Sequence, residues 1–257
     1  MKLDSFLLCP NTIGRGTGLH SEVWLGKEVF SMQKGLAMTF AEDQSGSLNT
    51  LDAKQYEGLS EAQYRQKMQR RKDVQAERLA VRSQEKGLII IHTGNGKGKT
   101  TAALGMVLRS LGHGHRIAIV QFIKGGWEPA EKAVLGQWPD QIAFHAMGEG
   151  FTWETQDRAR DTLKAQEAWE TALTYIQDPA YNLVLLDEIN IALKLQYLET
   201  DVVLAGLAQK HSQSHVILTG RGAPAALIAA ADLVTEMTLI KHPFRDQGVR
   251  AQAGIEF

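Results

Sequence analysis

The sequence predicts an α/β fold with a mostly parallel sheet and helices on both faces of that sheet. From Gly87 onward, short runs of apolar, β-branched residues alternate with stretches of helical pattern. Such alternation is typical of strand–helix–strand units. One of the apolar runs, Leu88–His92, leads into a glycine-rich segment that opens a helix. A strand, a glycine-rich turn and a helix in this order are common where a parallel sheet binds a nucleotide.

Length, charge and cysteine usage limit the classes of protein to consider. With 257 residues, of which 44% are hydrophobic, the chain can bury a full core. Its 28 basic and 29 acidic residues nearly cancel, so we expect neither nucleic acid nor an anionic membrane as a partner. No apolar run approaches the ~20 residues that cross a bilayer. A single cysteine, Cys9, excludes an internal disulfide, and we predict a soluble, cytoplasmic protein.

The chain is predicted to contain three regions. Residues 1–60 mix small polar residues with scattered apolar ones and show no sustained period; they fit a small β appendage, a disordered tail or an addition upstream of the true start. Residues 61–86 contain no Gly or Pro and carry eight Lys/Arg against four Asp/Glu, which predicts a basic helix. This helix is either a solvated element or a lid over an anionic ligand. Residues 87–257 form the predicted catalytic domain.

The elements of the third region follow in order along the chain. The clearest helix is predicted from Thr155, a suitable N-cap. Its apolar residues recur at helical spacing and are predicted to be core: Trp169, Ala172, Leu173 and Ile176. The predicted strands are Leu88–His92, Arg116–Ile123, Ile142–Met147, Leu183–Glu188, His215–Thr219 and Leu233–Ile240. The predicted helices begin after Gly98, near Pro129, at Thr155, near Glu199 and at Pro224.

The segment Thr93–Thr101 has the pattern of a phosphate-binding loop. Its three glycines let the backbone turn with N–H groups directed at phosphate oxygens. Lys99 supplies a cation, and the Thr100 hydroxyl can hold Mg²⁺. The usual pattern has a glycine five positions before Gly98, where this chain has Thr93.

An apolar strand that ends in two carboxylates, Asp187 and Glu188, supports this interpretation. The end of such a strand is the usual place for a second acid on the metal side of a phosphate-loop site. Side chains alternate along a strand, so only one of the two is expected to reach the metal. Loop and acids together predict a nucleoside triphosphate site on a phosphate-loop, RecA-like NTPase fold. By themselves they favour hydrolysis as much as any other ATP chemistry.

Three further features lie at predicted strand ends or beside the loop. Phe151 and Trp153 follow the third strand and would point to one side of an extended segment, either as rings that cap the core or as a platform for a flat ligand. Arg221, between two glycines, is placed equally well for a phosphate or for solvent. Arg109, in the helix after the loop, is more typical of a solvated arginine.

Several short motifs, taken in order, resemble the corrinoid adenosyltransferases of the phosphate-loop type. The resemblance runs from about Arg70 to the C-terminal Gly254–Phe257 and does not cover roughly the first 55 residues. Each motif is weak alone, whereas their order and spacing are specific. They are Gly94–Thr101, Val120–Gly125, Gly150–Trp153, Leu186–Glu188, Thr219–Gly222 and Lys241–Phe244.

The resemblance implies a reaction at carbon rather than at phosphorus. In this family the 5′-deoxyadenosyl group of ATP moves to the Co(I) of a reduced corrinoid, and triphosphate leaves, as part of adenosylcobalamin synthesis or salvage. The triphosphate lies in the loop in the direction opposite to that in ordinary phosphate-loop ATPases. ATP is then a co-substrate and the corrinoid the substrate, with Mg²⁺ or Mn²⁺ as the metal. A flavoprotein reductant and a homodimer are implied as well.

The resemblance also implies roles for individual residues. Thr100 and Glu188 would hold the metal, Arg109 would contact adenosine, and Lys99 and Arg221 would contact phosphate. The basic helix would close over the active site of the neighbouring subunit. Phe151 and Trp153 would press on the lower face of the corrin and drive off its axial ligand, which makes reduction of Co(II) to Co(I) accessible. The residues implied to bind the triphosphate are Gly94, Asn95, Gly96, Lys97, Gly98, Lys99, Thr100 and Thr101.

Two other functions share the fold and the nucleotide motifs. A RecA-like ATPase module would couple ATP hydrolysis to work on nucleic acid or on a protein partner. The near-neutral charge and the pair Phe151 and Trp153 beside the predicted site argue against it. A nucleotide-gated binding protein without turnover would leave the pair Asp187 and Glu188 underused.

Overall fold

The structure is a computed structural model that describes residues 56, 58–123, 130–147 and 157–256. The chain divides into two compact units, Met1–Lys72 and Asp73–Phe257, and the division falls within the first helix. Across the described part of the chain, no helix combines the length and apolar character needed to cross a membrane.

The first helix, α1, spans Glu61–Ala80 and begins with a capping box. The backbone N–H of Gln63 donates to the Ser60 hydroxyl, and the Ser60 N–H donates to the Gln63 side chain, so two free donors at the helix start are satisfied. The helix is basic, as predicted, and none of its residues is buried. It ends six residues before the predicted Lys86.

The second unit is built on a parallel sheet of six strands among the described residues, in the order β3-β2-β4-β5-β1-β6. This confirms the predicted α/β class. Because all strands run the same way, their carboxyl ends meet at one edge of the sheet, where ligands of such folds bind. The strands are β1 (Ile89–Thr93), β2 (Ile117–Gln121), β3 (Ile142–Ala146), β4 (Leu183–Asp187), β5 (His215–Thr219) and β6 (Leu233–Glu236).

Helices cover both faces of the sheet, as predicted. Further helices of the described chain are α2 (Lys99–Gly112), α3 (Ala130–Leu135), α4 (Arg158–Gln177), α5 (Ile189–Lys194), α6 (Thr200–Ala208), α7 (Ala225–Ala230) and α8 (Pro243–Gln247). On one face, Ala103 and Val107 of α2 pack on Ile119 and Leu185. On the other face the predicted core residues of α4 are confirmed: Trp169, Ala172 and Ile176 are buried, and Leu173 packs against them.

Some predicted boundaries are wrong. Helix α4 begins at Arg158 with Asp157 as its N-cap, because the Asp157 carboxylate accepts from the Arg160 N–H at 3.1 Å; Thr155 is therefore not the cap, and it lies outside the described residues. Strand β6 ends at Glu236 rather than Ile240, and the next residue, Met237, forms backbone hydrogen bonds with Thr93 and with Gly96 of the glycine-rich loop. Helices α5 and α8 were not predicted, since five or six residues show too little periodicity.

Candidate active site

The glycine-rich loop follows β1 and ends where α2 begins. Gly94 and Gly98 have φ values of 94° and 101°, a backbone region that residues with a Cβ rarely adopt. Gly96 needs to be glycine for a different reason, since a Cβ there would lie 2.7 Å from the carbonyl oxygen of Met237. The Gly96 N–H donates to that oxygen at 2.6 Å, and the Met237 N–H donates to Thr93. The segment after β6 therefore braces the loop.

Lys99 lies inside this loop. Its side chain is buried, and the ammonium group donates to the carbonyl oxygens of Gly94 at 3.0 Å and Gly96 at 2.6 Å. Burial lowers the pKa of Lys99, while the negative charge of Glu188 acts in the opposite direction. Since Lys99 is also the first residue of the 14-residue helix α2, its charge adds to the positive N-terminal end of that helix.

Asp187, the last residue of β4, joins three neighbouring elements through hydrogen bonds. The hydroxyl groups of Thr100 and Thr219 both donate to its Oδ1 atom, at 2.9 Å and 2.7 Å. The Gln121 amide donates to Oδ2 at 3.1 Å. Burial raises the pKa of Asp187, and these hydrogen bonds oppose the rise. The network brings Thr100 of the loop together with Asp187, the carboxylate at the end of β4.

Glu188 directly follows the strand but does not continue it. Its φ is 60°, the left-handed region, and its N–H donates to the Thr219 hydroxyl at 2.9 Å. Burial raises the pKa of Glu188 to about 7, the Asp187 charge adds to the rise, and Lys99 and Arg221 oppose it. Lys99, Glu188 and Arg221 are therefore electrostatic neighbours.

An open cleft of about 390 Å³ lies beside the loop. The predicted residues Asn95 and Arg221 line it. Four of its lining residues were not predicted as site residues: Glu236, Thr238, Leu239 and Arg245. The signal was available for Arg245, because it directly follows the motif Lys241–Phe244.

Some predicted residues lie away from the buried side chain of Lys99. Lys97 is exposed and forms an ion pair with Glu256 near the C-terminus. Thr101 is exposed in the first turn of α2, and Arg109 is exposed in its last turn. Ten residues separate Arg109 from Lys99, so their backbones lie about 15 Å apart along the helix axis. Phe151 and Trp153 lie outside the described residues.

Comparison with known proteins places these motifs in one family. Residues 85–257 match the family described as ATP:corrinoid adenosyltransferase BtuR/CobO/CobP, and residues 53–79 match the family described as Cob(I)alamin adenosyltransferase N terminal. Residues 53–79 include most of α1.

Three relatives are named corrinoid adenosyltransferase. The protein of Pseudomonas aeruginosa is 50% identical over 76% of this chain and 95% of its own length. That of Sinorhizobium sp is 49% identical over 77% of this chain and 92% of its own length. That of Escherichia coli K12 is 42% identical over 77% of this chain and its full length. This chain belongs to the ATP:corrinoid adenosyltransferase family BtuR/CobO/CobP.

Proposed function

We propose that this chain transfers the 5′-deoxyadenosyl group of ATP to the cobalt of a reduced corrinoid and releases triphosphate. Membership of the family supports the reaction, since residues 85–257 match it and include the loop, both carboxylates and Arg221. The structural observation that supports the proposal most is the hydrogen bond from the Thr100 hydroxyl to Asp187, next to the buried Lys99.

The reaction is a substitution at carbon. Co(I) supplies the electron pair that forms the cobalt–carbon bond, and the bond from C5′ to the triphosphate oxygen breaks. The released electron pair stays on triphosphate, and the cobalt becomes Co(III). Negative charge therefore grows on the leaving triphosphate. The task of Lys99 and of the loop N–H groups is to stabilise that charge.

The polar side chains beside the loop fit a hard divalent cation such as Mg²⁺ or Mn²⁺. They offer hydroxyl and carboxylate oxygens, the ligands that such cations prefer. The raised pKa of Glu188 also indicates a carboxylate that a cation would stabilise. We assign Thr100 and Glu188 as metal-side residues, with Asp187 fixing the Thr100 hydroxyl. When bound, the cation neutralises part of the triphosphate charge.

For the corrinoid we assign Phe151 and Trp153 as the rings that press on the lower face of the corrin. Family resemblance supports this role. Removal of the axial ligand lowers the energy needed to reduce Co(II), so a cellular flavoprotein can serve as the reductant. We place the reaction in the cytoplasm, where ATP and such reductants are available.

A homodimer would complete the site. Helix α1 buries none of its residues, although it lies largely in the part of the chain that matches the N-terminal family. Most of the stability of a helix in a protein comes from tertiary packing, so a second copy could supply the burial that this helix lacks within the described chain. We propose that this basic helix closes over the active site of a second copy, where its positive charge favours an anionic ligand.

The test is an incubation of the protein with ATP, Mg²⁺ and chemically reduced cobalamin in the dark. We expect the absorbance spectrum of a cobalt–carbon bonded product, which reverts when the sample is illuminated. Release of orthophosphate without that product would instead indicate the ATPase alternative.

A further inference from the structure

Thr219 is a buried residue at the end of β5. Its side chain has no solvent exposure. The hydroxyl donates to Asp187 Oδ1 at 2.7 Å and accepts from the Glu188 N–H at 2.9 Å. A hydroxyl has one proton and two lone pairs, so it can form both bonds at once. One oxygen atom therefore joins the side chain of the first acid to the backbone of the second.

We propose that Thr219 is the positioning residue that holds the Asp187–Glu188 pair in the arrangement that binds the metal–ATP complex. The proposal rests on the proposed function, because it concerns the same triphosphate site. Thr219 itself touches neither the substrate nor the reacting atoms in this role. It acts through the two carboxylates.

The backbone of Glu188 shows why a positioning residue is needed. Its left-handed conformation, with φ 60°, is uncommon for a residue with a side chain. If the extended strand continued instead, Glu188 would point to the opposite side from Asp187. The hydrogen bond from the Glu188 N–H to Thr219 holds the turn that interrupts this alternation.

The residue after Thr219 supports the arrangement. Gly220 has φ 123°, and a Cβ there would lie 3.0 Å from Oε2 of Glu188 and 3.0 Å from Cβ of Asn190. The Asn190 amide also donates to the Gly220 carbonyl oxygen at 3.2 Å. The turn after β5 is therefore packed closely around the Glu188 carboxylate, which leaves it little freedom to move independently of Thr219.

Thr219 also affects the loop. Thr100 and Thr219 donate to the same oxygen of Asp187. Without the Thr219 hydroxyl, Oδ1 keeps only the bond from Thr100. The Asp187 carboxylate is then held by Thr100 at Oδ1 and by Gln121 at Oδ2 alone, so the direction of the Thr100 lone pairs is less firmly fixed.

The experiment compares Thr219→Val and Thr219→Ser with wild type. Valine matches the shape of threonine but has no hydroxyl, whereas serine keeps the hydroxyl. Thr235→Val is the matched control: Thr235 lies on β6, is exposed, and pairs with the same residue of β1, His92, from the other side. The first measurement is the equilibrium dissociation constant of ATP with and without Mg²⁺. The second is kcat as a function of Mg²⁺ concentration.

We expect Mg²⁺ to tighten ATP binding in wild type, in Thr219→Ser and in Thr235→Val. In Thr219→Val we expect the ratio of the ATP dissociation constants without and with Mg²⁺ to fall at least tenfold. The Mg²⁺ concentration that gives half-maximal kcat should rise about tenfold. The dissociation constant of ATP without Mg²⁺ should change little. If Thr219→Val does not fold, Thr219→Ala replaces it in the same measurements, because it removes the hydroxyl without adding a methyl group.

Two results would overturn the proposal. One is that Thr219→Val or Thr219→Ala shows the same Mg²⁺ dependence of ATP affinity and of kcat as the control Thr235→Val. The other is an equal loss in Thr219→Ser and Thr219→Val, which would show that shape rather than the hydroxyl matters. Because ATP binding is measured without a corrinoid, a wild-type protein that binds Mg²⁺–ATP but forms no cobalt–carbon bond would contradict the proposed function and not this inference.

Discussion

Glu188 is a carboxylate whose charge is poorly solvated. Its pKa rises from the usual 4.5 to about 7, chiefly because of burial. Between these two pH values the unfolded chain has already lost the proton that the folded protein still holds. Protons therefore bind the folded state more tightly, and folding stability falls as the pH rises.

This shift predicts a pH dependence that Glu188→Gln removes. In metal-free protein, the free energy of unfolding of wild type should fall relative to Glu188→Gln between about pH 4.5 and pH 7, by on the order of 3 kcal/mol. Above pH 7 the difference should level off. Urea unfolding of both proteins at several pH values measures it. Parallel curves over this range would show that the Glu188 carboxylate is not destabilised by burial.

The two acids at the end of β4 could be predicted in number and place, but not in conformation. An apolar strand that ends in Asp187 and Glu188 is visible in the sequence, and so is Thr100 in the loop. The pairing of Thr100 with Asp187 depends on how β1 and β4 are placed in the sheet. The left-handed turn at Glu188 depends on Thr219, 31 residues later. Contacts of this kind leave no local pattern.

At the scale of elements, the loop depends on the segment that follows β6. The carbonyl oxygen of Met237 accepts from Gly96, and its N–H donates to Thr93. Short runs of apolar residues could predict most strands, because those strands are buried on both faces. The apolar pattern extended β6 to Ile240, whereas the contact of Met237 with the loop is a tertiary contact that leaves no local pattern in the sequence.

This contact predicts opposite effects for the same substitution at two glycines. Gly96→Ala places a Cβ 2.7 Å from the Met237 carbonyl oxygen, so the loop must shift. We expect at least a tenfold weaker affinity for ATP and a loss of stability of ~1–3 kcal/mol. Gly105→Ala, within α2, meets no atom within 4 Å. It should leave ATP affinity unchanged and stabilise the protein by about 0.5–1 kcal/mol.

Calorimetric binding of ATP and thermal unfolding of both variants provide the comparison. If Gly96→Ala bound ATP as tightly as Gly105→Ala, the contact between the β6 segment and the loop would not be needed to shape the phosphate site.

The whole chain is longer than the Escherichia coli relative, which matches over its full length yet covers 77% of this chain. Residues 1–52 lie before both family matches, whereas most of α1 lies within one of them.

Two truncations test the role of the shared helix. Removal of residues 1–85, which include α1, should lower corrinoid turnover at least tenfold while ATP binding persists, because the lid is lost and the loop is retained. Removal of residues 1–55 is the matched control and should leave turnover within about threefold of wild type. If both truncated proteins had the same turnover and the same corrinoid affinity, α1 would not act as a lid over the active site.

In the proposed reaction the loop holds a leaving triphosphate while the chemistry takes place at C5′. Phosphorus NMR of a single-turnover reaction with ATP, Mg²⁺ and Co(I) cobalamin distinguishes this reaction from attack at the γ-phosphate. We expect one equivalent of intact triphosphate for each cobalt–carbon bond formed, without ADP. ADP and orthophosphate as the phosphorus products would place the reaction at the γ-phosphate instead.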